Sequence, residues 1–160
     1  MSVHVDIQAA CSEPAPEEDD LRRWICTALE QRTPGEAAEV CLRLVGEAEM
    51  TALNRDYRGK TGSTNVLSFP AGLPPELALP LLGDIVICTP VVAREAAEQG
   101  KPLTAHWAHM TVHGSLHLLG YDHIEDADAV AMEALETTIL AQLGFPCPYP
   151  DHGHEELATP

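Results

Sequence analysis

Between His113 and His123 the chain reads His-Gly-Ser-Leu-His-Leu-Leu-Gly-Tyr-Asp-His. Two histidines stand four residues apart, a glycine follows, and a third histidine closes the run. On an α-helix, positions i and i+4 share a face one turn apart, so His113 and His117 aim their imidazoles at one point. Gly120 suits the left-handed turn that ends a helix and reverses the chain, which returns His123 as a third ligand. Three nitrogens with one open position form the donor set of a catalytic zinc site. A lone histidine pair on a helix is more often a polar-face coincidence. The pair, the glycine and the third histidine together favour a metal.

His106 and His109 fall on the same helical stripe. A rise of 1.5 Å per residue separates His109 from His117 by about 12 Å along the axis, beyond the reach of zinc–nitrogen bonds of about 2 Å. The turn glycine and His123 lie beyond His117, which selects His113, His117 and His123 as ligands. His106 and His109 are expected to pack or to support the ligands. The spacing matches the metzincin pattern H-E-x-x-H-x-x-G-x-x-H. Gly114 stands where those proteases carry their general-base glutamate, so a protease reading is disfavoured.

The His113–His123 run resembles the signature of the YbeY family, bacterial metal-dependent endoribonucleases of ribosomal RNA maturation. Two further stretches resemble that family in the same order. One is Leu53–Lys60 followed by Thr64–Pro70, and the other is Leu82–Ile87. The resemblance covers about residues 40 to 150. Thr61 departs from it, because family members often carry an acidic residue there. The resemblance implies a mixed sheet with the histidine helix lying against it. It also implies hydrolysis of single-stranded ribosomal RNA on the small ribosomal subunit in the cytoplasm. The cofactor it implies is one divalent ion, expected to be zinc, and it ties Arg58 to activity. A guanidinium suits that role, since it holds phosphate oxygens through paired hydrogen bonds and keeps its charge.

Charge bears on the partner. The formal net charge is −16 with nine Lys and Arg, a field that opposes nucleic acid. Arg55, Arg58 and Lys60 fall within six residues and supply a local basic patch. Association is therefore expected to need presentation of the RNA by a ribosome or a protein partner. DNA and membranes are not expected partners. No window approaches ~18 uninterrupted apolar residues, and no basic start precedes an apolar run. Five scattered cysteines without C-x-x-C spacing read as buried reduced thiols.

Periodicity predicts an α+β fold: one domain over residues 1–150, about four strands and four or five helices, with 151–160 a flexible acidic tail. Val3, Val5 and Ile7 alternate as a first strand, and Val40, Leu42 and Leu44 as a second. Leu21, Trp24, Ile25, Ala28 and Leu29 mark a helix between them, ended at Thr33-Pro34-Gly35. Met50, Leu53 and Tyr57 mark a short helix delivering Arg58 at its end, followed by a flexible turn at Gly59 and Gly62. Asn65–Phe69 reads as a strand stopped by Pro70, residues 70–82 as a loop, and Ile85–Cys88 as a buried strand. Asp84 reads as a loop cap without a role. Pro90 starts a helix, the histidine helix runs to Leu119, and a last helix starts near Asp126. That helix is expected to bury Val130, Ala131, Ala134, Leu135, Thr138 and Ile139. Asp122 is read as a ligand orienter or a turn cap, Tyr121 as a packing residue, and His152 and His154 as part of the tail.

Overall fold

Alternation of apolar and polar residues sets the sheet. In the computed structural model, which describes residues 3–30, 37–71, 80–121 and 125–149, four strands pair in the order β1-β2-β4-β3. Strands β1 (Val3–Ala9), β2 (Ala38–Val45) and β4 (Leu81–Cys88) run parallel, and β3 (Val66–Pro70) closes the edge antiparallel to β4. The sheet is mixed, and five helices pack on it: α1 (Glu18–Leu29), α2 (Glu47–Arg58), α3 (Thr89–Gln99), α4 (Leu103–Leu118) and α5 (Asp126–Gln142).

The expected inner face of α1 is fully buried: Leu21, Trp24, Ile25, Ala28 and Leu29 are each 0% exposed. Burial of each Leu or Ile contributes about 1.5–3 kcal/mol. Acidic Glu18, Asp19 and Asp20 occupy the first turn of α1, where the helix dipole favours negative charge. The histidine helix α4 lies against one face of the sheet and packs on α1, α3, α5, β3 and β4. Trp107, Val112 and Leu116 of α4 meet Leu42 of β2 and Ile85 and Ile87 of β4 in the main core. On the opposite face α2 covers a smaller cluster of Val45, Met50, Leu67, Val86, Cys88 and Val91.

α4 ends as its glycine predicts. Gly120 has φ +104°, its N–H donates to the His117 carbonyl, and the Tyr121 N–H donates to Leu116. These two bonds make a Schellman cap, which requires a left-handed residue at that position. Tyr121, read as a packing residue, is 37% exposed.

Several boundaries differ from the sequence reading. β4 begins at Leu81 and includes Asp84, so Asp84 is a strand residue and not a loop cap. β3 runs through Pro70, tolerated because an edge strand leaves one N–H position outside the ladder. α5 buries Ile139 and packs Leu135 on the core as expected, but its inward face is rotated to take in Met132, Glu136 and Leu140, while Val130 is 65% exposed. The apolar count favoured the neighbouring stripe because a glutamate occupies the buried one. The cysteines form no disulfide among the described residues, as expected, but only Cys88 is buried and Cys147 is exposed. The 33–35 turn, most of the 70–82 loop, Asp122, His123 and the 151–160 tail lie outside the described residues.

Candidate metal centre and cleft

His113 and His117 sit on the last turns of α4 with ring centroids 4.6 Å apart. Their Nε2 atoms lie 3.1 Å apart. Two zinc–nitrogen bonds of about 2.0–2.1 Å at a tetrahedral angle place their donors about 3.3 Å apart. The pair therefore fits a shared divalent cation. Among the described residues no group of three or more His, Cys, Asp or Glu forms a complete metal set. His123, the expected third ligand, lies outside them.

Glu136 organises this pair from α5. Its side chain is 0% exposed, and its Oε2 accepts from His113 Nδ1 at 2.5 Å. Its Oε1 accepts from His109 Nε2 at 3.0 Å and from the Tyr149 hydroxyl. Burial by itself raises a carboxyl pKa. The hydrogen bonds from His109 and His113 outweigh it and hold Glu136 down at about 2. An ionised carboxylate only accepts, so His113 carries its proton on Nδ1 and keeps the Nε2 lone pair toward His117. Burial beside Glu136 in turn pushes the Tyr149 hydroxyl well above its ordinary range.

His109 thus contacts Glu136 and Tyr149, with its ring centroid 6.3 Å from that of His113. His106 bonds Glu95 of α3 through Nε2 at 2.9 Å. Burial lowers the His106 pKa, against the opposing pull of Glu95. Glu95 also accepts from Asn65 Nδ2 at 3.2 Å, which fixes the start of β3.

β3 approaches α4 at Gly114. A Cβ there would meet Ile85 Cγ2 at 2.9 Å and Val66 Cγ2 at 3.2 Å. The Ser68 hydroxyl donates to the Gly114 carbonyl at 2.9 Å and ties the strand to the helix between the two histidines. Any side chain at position 114 would crowd Ile85, Val66 and Ser68, so the glycine that replaces the protease glutamate is also what lets β3 approach α4.

The histidines open into a cavity of about 630 Å³ whose lining includes Arg58, Asn65, Ser68, His113, His117 and Tyr149. Arg58, 55 residues before His113 in the chain, is brought there by the end of α2. Asn54, buried on α2, donates to the Gly62 carbonyl at 2.9 Å and ties down the 59–62 turn read as flexible. Arg55 is paired with Asp56 at 2.9 Å, whereas Arg58 has no ion-pair partner among the described residues. The cavity joins a cationic side chain to a nitrogen donor pair, an arrangement suited to an anionic oxygen substrate.

Sequence reasoning missed Glu136 and Tyr149. Glu136 was hidden on a helix with a plausible apolar stripe. Its one signal is a glutamate inside the Met132–Ile139–Leu140 spacing. Tyr149 sits in an irregular segment whose position depends on the packing of Phe145 against Trp24 at 5.9 Å.

Fold and cleft define a class: a small α+β domain carrying a helix-borne histidine pair beside the edge strand of a mixed sheet. The family described as Endoribonuclease YbeY matches residues 7–144. Endoribonuclease YbeY of Pseudomonas fluorescens is 57% identical over 150 residues, covering 93% of this chain and 97% of the relative. That of Stutzerimonas stutzeri is 58% identical, covering 96% of this chain and 95% of the relative. The solution structure of TM1509 from Thermotoga maritima aligns with a TM-score of 0.56 at 26% identity, covering 86% of this chain and 87% of that one. The chain belongs to the endoribonuclease YbeY family.

Proposed function

We propose that this chain is a metal-dependent endoribonuclease acting on single-stranded ribosomal RNA during maturation of the small ribosomal subunit. The observation that carries the reading is the convergence of His113 and His117 Nε2, 3.1 Å apart, in a cavity that also admits Arg58. His113, His117 and His123 would hold one divalent ion, zinc by its preference for imidazole nitrogen. Lewis acidity and water activation are the chemistry such an ion supplies when bound.

The protein's own groups do the rest. Glu136 holds the His113 proton on Nδ1 and aims its Nε2 lone pair. Arg58 binds non-bridging phosphate oxygens and stabilises the charge that grows on them in the transition state. Residues 1–150 make the catalytic unit and 151–160 a tail outside it. The protein works in the cytoplasm with ribosomal proteins as partners, which offsets the repulsion between RNA and a chain of net charge −16. Among the described residues no helix is long and apolar enough to cross a membrane.

The test uses purified protein and end-labelled single-stranded RNA, with and without a chelator, alongside metal analysis. Cleavage that stops with chelator and returns with added zinc is the expected result, with about one metal per chain in wild type. His123→Ala should lose both metal and cleavage. Cleavage indifferent to chelator refutes metal dependence. Tight metal and ribosome binding without cleavage instead identifies a non-catalytic assembly factor.

A further inference from the structure

β3 is an edge strand, paired with β4 at one end of the order β1-β2-β4-β3. It forms one wall of the histidine cleft, where Val66 and Ser68 line the cavity together with Arg58, His113 and His117. The Ser68 hydroxyl bonds the carbonyl of Gly114, the residue next to His113. This stretch of strand therefore lies alongside the histidine pair.

Strand register tells which backbone groups of β3 face outward. In an antiparallel ladder, residue pairs that exchange hydrogen bonds alternate with pairs that do not. The Cys88 N–H donates to the Asn65 carbonyl, and the Ala71 N–H donates to the Leu82 carbonyl. Asn65 and Ala71, and with them Leu67 and Phe69, therefore direct their backbone groups at β4. Val66, Ser68 and Pro70 turn theirs to the free edge.

That edge is almost blunted. Pro70 has no N–H, and the Val66 N–H donates to Asn65 Oδ1 at 2.7 Å. Among the described residues this leaves β3 one outward N–H without a partner, that of Ser68, flanked by the Val66 and Ser68 carbonyls. A peptide added as a further strand needs a repeating row of donors and acceptors, which a single N–H does not supply. A ribose 2′-hydroxyl asks for no more than this set, because it accepts one hydrogen bond and donates another. Arg58 in the same cavity is the group suited to the neighbouring phosphate.

We propose that the free edge of β3 is a ribose subsite, in which the Ser68 N–H donates to the 2′-hydroxyl of a nucleotide held in the histidine cleft and an edge carbonyl accepts from it. The proposal rests on the endoribonuclease reading and names the group by which that site selects RNA over DNA. Ser68 is then a specificity-determining residue that acts through its backbone, while its hydroxyl fixes the strand against α4. A backbone N–H and carbonyl carry no net charge, so the contact adds affinity for RNA without a basic surface.

The experiment measures binding and cleavage of a single-stranded RNA in which one ribose at a time is replaced by deoxyribose, using wild type, Ser68→Pro and Ser68→Ala. Proline removes the N–H and is tolerated at an outward position of an edge strand, as Pro70 is. Alanine removes the hydroxyl and keeps the N–H. Binding is read by fluorescence anisotropy on mixing, so that a hydroxyl taking part in the chemical step is not mistaken for one that is held. In wild type, deoxyribose at one position weakens binding by about three- to tenfold, the scale of one neutral hydrogen bond. Ser68→Pro weakens binding of all-ribose RNA by a similar factor and abolishes the penalty at that position, whereas Ser68→Ala keeps it. A flat deoxyribose scan in wild type overturns the subsite whether or not Ser68→Pro folds, and leaves the nuclease reading intact. The full wild-type penalty in folded Ser68→Pro overturns it as well. Equal loss of affinity for RNA and for DNA of the same sequence in Ser68→Pro assigns the N–H to a phosphate and overturns the ribose contact. An extended peptide of alternating valine and threonine that displaces RNA from wild type, but not from Ser68→Pro, assigns the edge to a peptide strand and overturns it too. Wild-type protein that neither binds nor cuts all-ribose RNA overturns the nuclease reading and the subsite together.

Discussion

His113 Nδ1 and Glu136 Oε2 stand 2.5 Å apart, joining the histidine helix to the last helix through a carboxylate that solvent does not reach. The same carboxylate accepts from His109 and Tyr149. One residue thus sets the tautomer of His113 and anchors the end of the described chain.

That relationship predicts the behaviour of Glu136→Gln. The amide keeps the shape but cannot accept on both ends. If its NH2 faces His113, that ring must accept on Nδ1, and its proton moves to the Nε2 needed for metal. Metal affinity, measured by competition with a chelator, should fall by about 10–100-fold, the usual cost of losing such a support. Unchanged affinity in a folded Glu136→Gln protein would remove the carboxylate from the site.

Arg58→Ala separates turnover from folding. Arg58 is exposed and without an ion-pair partner among the described residues, so its loss should cost well under ~1 kcal/mol of stability. Melting temperature and metal content should hold. RNA cleavage should drop by about 10² or more, the scale of one lost transition-state charge contact. Arg58→Lys should recover part, because lysine keeps the charge without the fork. Wild-type rates in Arg58→Ala, assayed against a metal-stripped control, would end its catalytic role.

Gly114 is a packing position as well as a departure from the protease motif. A methyl there meets Ile85 Cγ2 at 2.9 Å and Ser68 Oγ at 3.3 Å. Gly114→Ala should destabilise by about 1–3 kcal/mol, the range for overpacking, and Gly114→Glu by more. Neither should gain activity on casein. Thermal melts of the two variants measure this, and an unchanged melting temperature for Gly114→Glu would show that β3 yields at that contact.

His106 gives stability a pH dependence. Its pKa is lowered by burial. Its Nε2 meets Glu95, while its Nδ1 is buried without a hydrogen-bond partner. Glu95, His109 and Lys101 are the charged or titratable groups acting on it. Protonation would leave a buried N–H unsatisfied, so the folded state binds this proton less readily than the unfolded chain. Its contribution is present above the unfolded pKa of about 6.5 and is lost as pH falls through the lower folded value. Denaturant melts between pH 7.5 and 5 should show a shallower acid loss in His106→Gln than in wild type. Parallel curves for the two proteins would refute the assignment.

Local pattern was enough for the elements whose signals are local. The 3.6-residue spacing of Leu21–Leu29 and the alternation of Val40–Leu44 each bury one face against whatever lies below, so they read correctly without a partner. The His113–His117 pair and the Gly120 cap are one-turn and two-bond features, which helix geometry alone dictates. Tertiary packing decided the rest. Which stripe of α5 faces inward depended on whether His109, His113 and Tyr149 waited there to satisfy Glu136, and a hydropathy pattern counts that glutamate as an outward residue. Arg58 reaches the histidine cleft only because β3 docks along α4 while α2 covers the other face. Strand order has no local signature. It is set by pairing among segments far apart in the chain, and that pairing gave the two histidines their arginine.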